Sequence, residues 1–455
     1  MPAQPLLLRI AGLALLSLWG SPVPAHSQES TIESHWGQWR GPLGTGEAPQ
    51  SVPVTTWSEQ QNVRWKAPLP GLSHSSPIVW GDRVFVTTTV PVGPIRERVP
   101  DDAPGAHNNA PVTREQEFVV MALSRETGEV LWSKPVHRQL PHAGAHDSSS
   151  ISPASPVTDG ELVFASFGSY GIYALSLDGE LVWQVDLGDM QIKHGHGEGS
   201  SPVLYGDILA VNWDHEGESF VVALDRGTGK ERWRAAREEV TSWSSPIVIE
   251  SEGKAQLIIP GTERVRSYEL RTGKLLWQCG GLSHNIVATP VFGDGLLFVC
   301  SSYEKRAMFA IRVAGASGDI TGTDHVVWSR RHRTPYVPSP LLYGGALYFL
   351  NHYQGVLSRV RAADGEEALG PFRIDGLSDI YASPVAAAGH VYITDLEGMT
   401  VVLRHTTTQP EVVALNQIND KVSASMAIAG DEIFLRGERF LYCIAQTAPK
   451  TPPLK

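Results

Sequence analysis

The sequence predicts an all-β protein, an eight-bladed β-propeller with four-stranded antiparallel blades, its ring closed by an N-terminal strand. Three observations carry this. A Ser/Thr-Pro anchor followed by two short apolar runs returns with a period in the forties, the mark of a propeller blade. A Gly-containing turn followed by a tryptophan ends most of these units. The last unit lacks a fourth strand, and the start of the chain supplies a matching one.

The anchors run in order through Ser75-Ser76-Pro77, Ala154-Ser155-Pro156, Ser200-Ser201-Pro202, Ser244-Ser245-Pro246, Ala288-Thr289-Pro290, Pro338-Ser339-Pro340 and Ala382-Ser383-Pro384, with a degraded eighth copy at Ala424-Ser425-Met426. Each opens a strand, a tight Gly/Asp turn and a second strand rich in β-branched and aromatic residues. The second halves read Ala122-Leu123…Thr127-Gly128…Trp132, Ala174-Leu175…Asp178-Gly179…Trp183, Ala223-Leu224…Thr228-Gly229…Trp233 and Leu270…Thr272-Gly273…Trp277, continued by Trp328. Glycine supplies the positive φ of the hairpin turn. The tryptophan is placed to wedge between blades. Phe372 and Val413 stand in its position in the last two full units. The eighth unit stops after Arg439–Gln446, and Asn62–Pro68, with Trp65 in the tryptophan position, completes it. Closure removes a free sheet edge.

Composition agrees: 455 residues, 42% hydrophobic and 19% charged, with 44 Gly and 32 Pro. A net charge of −11 without a basic run argues against nucleic acid or an acidic membrane surface as partner. Arg9, the apolar run Ile10–Trp19 and Val23-Pro24-Ala25 read as a signal peptide over 1–25, cleaved after Ala25. The alternative is an anchor that stays, though the run is short for a bilayer. The expected order is then an extension over 26–61, the propeller over 62–446 and a tail over 447–455. This places a monomeric protein in the periplasm or outside the cell, with no integral membrane segment in the mature chain. Three widely spaced cysteines, Cys279, Cys300 and Cys443, suit neither a disulfide framework nor a zinc cluster.

The Ala-Leu-x-x-x-Thr-Gly-x-x-x-Trp unit resembles the repeat of the PQQ-like (quinoprotein alcohol dehydrogenase-like) propellers, over about residues 36–446. That superfamily also includes the outer-membrane-assembly propeller lipoprotein. Trp36-Gly-Gln-Trp39-Arg40-Gly41-Pro42 looks like the opening of exported members of the family that are not dehydrogenases. The resemblance implies the fold. Its enzymes use PQQ, calcium, a catalytic Asp and often an adjacent Cys pair. No such pair occurs here, so no PQQ or calcium ligand is carried over and no catalytic residue is assigned.

Naming the strands A to D from the centre outward, A–B and C–D turns share one face and B–C and D–A loops the other. The first face is mostly tight Gly turns. The second varies, which is where sites sit on a regular scaffold. Eleven of the 16 histidines fall there, together with several tryptophans and tyrosines. This His/aromatic mouth predicts a funnel for an organic ligand or a protein partner. The candidate ligand-binding residues are His142, His146, Trp213, Asp214, Trp243, His284, Tyr336, His352 and Tyr381. In Lys193-His194-Gly195-His196-Gly197-Glu198-Gly199, glycines alternate with potential N and O ligands. His194, His196, Glu198 and His215 are therefore a candidate divalent-metal set. The competing reading is a hydrogen-bonded loop network. Residues 88–117 form a Pro-rich insertion without periodicity, either a disordered excursion or a lid.

Three functions follow. The first is an exported scaffold that binds a ligand or a protein through the His/aromatic face. The second is a PQQ-dependent dehydrogenase, with Trp243 for stacking and Asp214 or Asp395 as base. The third is a metal-dependent hydrolase or lyase at the His194/His196/Glu198 loop, with metal-bound water as nucleophile.

Overall fold

The computed structural model describes residue 1 and residues 32–367, 369–406 and 409–447. The expected signal peptide and most of the C-terminal tail lie outside the described residues.

Eight antiparallel sheets follow one another along the chain. Blade 1 is Ile78–Trp80, Arg83–Val92, Glu115–Ser124 and Val130–Gln139, and blades 2–7 repeat this meander. Short A strands touch the A strands of neighbouring blades, blade 1 meeting both blade 2 and blade 8, so the A strands form the inner ring. In blade 8, Val63–Pro68 pairs antiparallel with Phe440–Ile444, Lys66 opposite Tyr442, and supplies the outermost strand. Alternate residues of each strand face the next blade, so the core lies between blades. Phe164, Trp183, Leu209 and Val222 fill the seam of blades 2 and 3, for example.

The turn glycine and the tryptophan are two halves of one joint. The Trp65, Trp132, Trp183, Trp233 and Trp328 indoles donate Nε1–H to Arg125, Leu177, Arg226, Leu270 and Ala362 carbonyls of the next blade at 2.7–3.0 Å. The next blade's turn glycine lies flat on each ring. A Cβ on Gly179, at φ 85°, would stand 2.6 Å from Trp132. Blade 5 has a longer C–D connection, and the joint changes there. Trp277 is fully buried and donates instead to Gln256 of its own blade at 3.0 Å. The long connection adds Gly318–Asp319 beside it as a fifth, parallel strand.

Two segments outside the repeat shape the centre. The blade 1 hairpin stays paired as far as Val92 and Glu115. The connection therefore spans 93–114 instead of the whole of 88–117, because Thr88–Val92 and Glu115–Glu117 satisfy their backbone groups in the ladder. The N-terminal extension crosses the turn face. Trp36 pairs with Val79 of blade 1, and Gly37 accepts from Thr158 N–H of blade 2. Arg40 is buried and donates to Pro340 and Pro384 carbonyls of blades 6 and 7 at 2.8 and 2.7 Å. Gly46 and Ala48 then bond to Ala386. Trp39, at the middle of this path, enters the central channel.

Candidate functional site

The anchor serines build the floor of the site. Ser76, Ser155, Ser201, Ser245, Thr289, Ser339, Ser383 and Ser425 all line one central cavity of about 400 Å³. Around the ring, the backbone N–H of one residue donates to the hydroxyl oxygen of the next at 2.8–3.0 Å. The link from Ser245 to Thr289 is the exception. There the Trp39 indole N–H donates to Thr289 Oγ1 at 3.1 Å. Each hydroxyl oxygen thus accepts one N–H. Among the described residues none of the eight hydroxyls donates, so their O–H groups remain free for the cavity. Trp39 lines the same cavity, and with it the extension lies across the turn-face end of the channel.

One wall is aromatic. Tyr303 and Tyr336 stack at 5.6 Å between ring centroids, Tyr336 and His352 at 4.7 Å, and Tyr353 and Tyr381 at 5.8 Å. Burial raises the phenol pKa of Tyr336 and Tyr381, so both are neutral donors. Trp243 also lines the cavity, fixed by its Nε1–H to the Gly197 carbonyl at 2.7 Å.

Another wall is a histidine cluster. Ring centroids stand 5.2 Å apart for His107 and His194, 5.3 Å for His194 and His196, and 4.7 Å for both His107–His196 and His146–His196. His107 Nδ1 meets the Gly105 carbonyl at 2.8 Å, His194 Nδ1 the Pro104 carbonyl at 3.0 Å, and His146 Nδ1 the Ser148 hydroxyl at 2.7 Å. His196 Nε2 is buried without a partner. Burial first, then the neighbouring His146, His107 and His194, pull the His196 pKa down to about 4, so its ring is neutral at neutral pH. His107 arrives from the 93–114 connection. That segment is tied across this wall by Asn109 to the His194 carbonyl at 2.7 Å and by Asp147 N–H to the Asn108 carbonyl at 2.7 Å.

The expected site residues divide. His146, His194, His196, Glu198, Trp243, Tyr336, His352 and Tyr381 line the cavity. His142 packs behind it, between Tyr170 Oη and the Met190 carbonyl, each at 3.2 Å. Trp213 is buried in the seam of blades 2 and 3, stacked on Phe220. Asp214 is consumed by a two-pronged bond from Arg237 at 2.6 and 2.9 Å and by Ser242. His284 sits on the outer rim, 3.9 Å from Glu263 and 3.8 Å from Glu304.

The four expected metal ligands do not converge. Glu198 turns to Ser169, whose N–H and hydroxyl it accepts, and burial raises its pKa to about 7. His215 Nδ1 accepts from Gln191 and Gly217 N–H, and its Nε2 meets the Glu218 carbonyl. Among the described residues no three His, Cys, Asp or Glu side chains are placed to hold a metal ion. Among the described residues, Glu198 and the histidines are the titratable side chains on the cavity lining besides the tyrosines. Asp214 is locked to Arg237, and Asp395 accepts three backbone N–H groups and the Ser378 hydroxyl, so neither is free to act as a base. The geometry offers hydroxyl donors, neutral imidazoles and aromatic faces, which suit holding a small molecule. The hydroxyl ring and Trp39 were not in the expected set. The sequence signal for the ring is one Ser or Thr hydroxyl per blade in the repeat anchor, at the inner rim.

A family model described as outer membrane protein assembly factor BamB matches residues 52–212 and 217–446. Among solved structures, BamB from Moraxella catarrhalis has a TM-score of 0.50 at 13% identity, over 79% of this chain and 100% of that one. The quinohemoprotein alcohol dehydrogenase ADHIIG from Pseudomonas putida HK5 has a TM-score of 0.58 at 11% identity, over 93% of this chain and 82% of that one. At these identities both show the fold alone. No curated protein matches the sequence.

Proposed function

The chain belongs to the family described as outer membrane protein assembly factor BamB, and from that membership and the site geometry we propose that it is an exported, non-catalytic propeller that holds a small organic molecule in its loop-face funnel. The observation that carries this reading is the central cavity. Lined by Trp39 and a hydroxyl ring, with an aromatic wall beside it, it is a concave pocket of the size that small ligands occupy. A protein partner would use the rim of the same face, and the family description supports such a scaffold role near an outer membrane. The apolar run before Ala25 supports export. Among the described residues no helix is long and apolar enough to cross a membrane.

The test is thermal denaturation with and without a cell extract filtered below about 1 kDa, on the wild type and on Val287→Trp, which places an indole on the cavity lining. A rise in Tm in the wild type that is absent in the variant is the expected result. An equal rise in both, or none in either, contradicts the reading.

A further inference from the structure

Cations lie behind the floor of the funnel without an anion to balance them. Arg40 and Arg436 are both buried, and neither forms an ion pair among the described residues. Arg40 bonds to the carbonyls that follow Ser339 and Ser383 of the hydroxyl ring. Arg436 bonds to Ser75, next to Ser76 of the same ring, through its carbonyl at 3.2 Å and its hydroxyl at 2.6 Å. The Nε atoms of both arginines are buried and unpartnered. Carbonyl dipoles solvate these guanidiniums but leave two full positive charges in a low-dielectric setting, where buried charge is ordinarily balanced.

The floor has the same polarity. Each ring hydroxyl takes an N–H on its oxygen, which strengthens its own uncommitted O–H as a donor. The floor is therefore a circle of donors. His74 adds a buried Nε2 without a partner at the cavity edge. The one lining carboxylate, Glu198, is turned to Ser169 and leaves the centre without negative charge.

Building on the small-molecule reading above, we propose that the funnel selects a ligand bearing an oxyanion, its charged end seated on the hydroxyl ring over Arg40 and Arg436. An oxyanion accepts several O–H donors at once and restores charge balance beneath the floor. A neutral polyol can accept the same O–H groups but brings no charge to balance the two arginines.

The experiment is isothermal titration of the wild-type protein with matched pairs that differ in charge: glucuronate against glucose, and benzoate against benzyl alcohol. Glucose 6-phosphate extends the first pair from carboxylate to phosphate and shows which oxyanion is preferred. The charged member is expected to bind roughly tenfold tighter or better. Arg436→Lys should retain that preference and Arg436→Met should lose it. The wild-type pairs decide the question even where the Met variant does not fold. Neutral members that bind as tightly as their anions overturn the charge preference and leave the small-molecule reading in place. Absence of binding by every probe, when the filtered extract does raise Tm in the wild type alone, overturns the preference likewise. Absence of binding together with an unmoved Tm sinks both.

Discussion

The two faces of this propeller are built from the same repeat and are held together differently. On the turn face one contact recurs: a tryptophan donates to the next blade's carbonyl, and a turn glycine lies on its ring, as with Trp132, Leu177 and Gly179. The N-terminal extension adds a strap across that face. On the loop face nothing recurs above the hydroxyl ring. Histidines gather on one side, tyrosines on another, and a single insertion delivers His107. The repeated face carries the stability of the ring, and the unrepeated face is free to acquire a ligand. Mutations should divide along the same line.

The largest effect is expected at the tryptophans of the blade seams. Trp277→Ala removes a fully buried ring from the blade 4–5 seam and should cost about 4 kcal/mol in urea unfolding. A loss below about 1 kcal/mol would mean that the fifth strand, and not the indole, holds that seam. Gly179→Ala should cost about 2 kcal/mol, since φ is 85° and a Cβ would meet Trp132. A neutral result would break the claim that turn and tryptophan form one joint.

A smaller effect separates the faces by pH. Burial, with Arg436 adding to it, pulls the His74 pKa down to about 4, and His196 is lowered to the same region. The unfolded chain binds these protons below about pH 6.5 and the folded chain does not. Stability conferred by the neutral rings is therefore present above pH 6.5 and lost as pH falls toward 4. Glu198 acts in the opposite sense. Its folded pKa is raised, so its contribution falls as pH rises from about 4.5 to 7. The net loss on acidification should be on the order of 1 kcal/mol. His74→Gln should flatten the curve and Glu198→Gln should steepen it, as denaturant midpoints across that range would show. The smallest effect belongs to the rim. Tyr303→Ala, at a half-exposed position, should change stability by about 0.5 kcal/mol or less while weakening ligand binding. A large loss of stability there would erase the distinction between the faces.

The same contrast explains how much the sequence revealed. The ring was legible because it repeats: anchors, turns and tryptophans report their own period, and the odd strand Val63–Pro68 was found by its likeness to the others. The site was legible only as a face. His146, His194, His196, Trp243, Tyr336, His352 and Tyr381 were reachable because loop histidines and aromatics cluster. Asp214 and His215 misled because loop residues of the right type can be spent on internal bonds, Asp214 on Arg237 and His215 on its own loop. Trp39 and His107 lie far in sequence from what they touch. Trp39 reaches Thr289 across the ring, a contact that no local pattern encodes.

The most direct test of the central claim is native mass spectrometry of the protein isolated from cells, comparing the wild type with Val287→Trp. A small bound mass is expected on the wild type and is expected to be missing from the variant. A wild type without any bound mass, or a variant that carries the same mass, would contradict it.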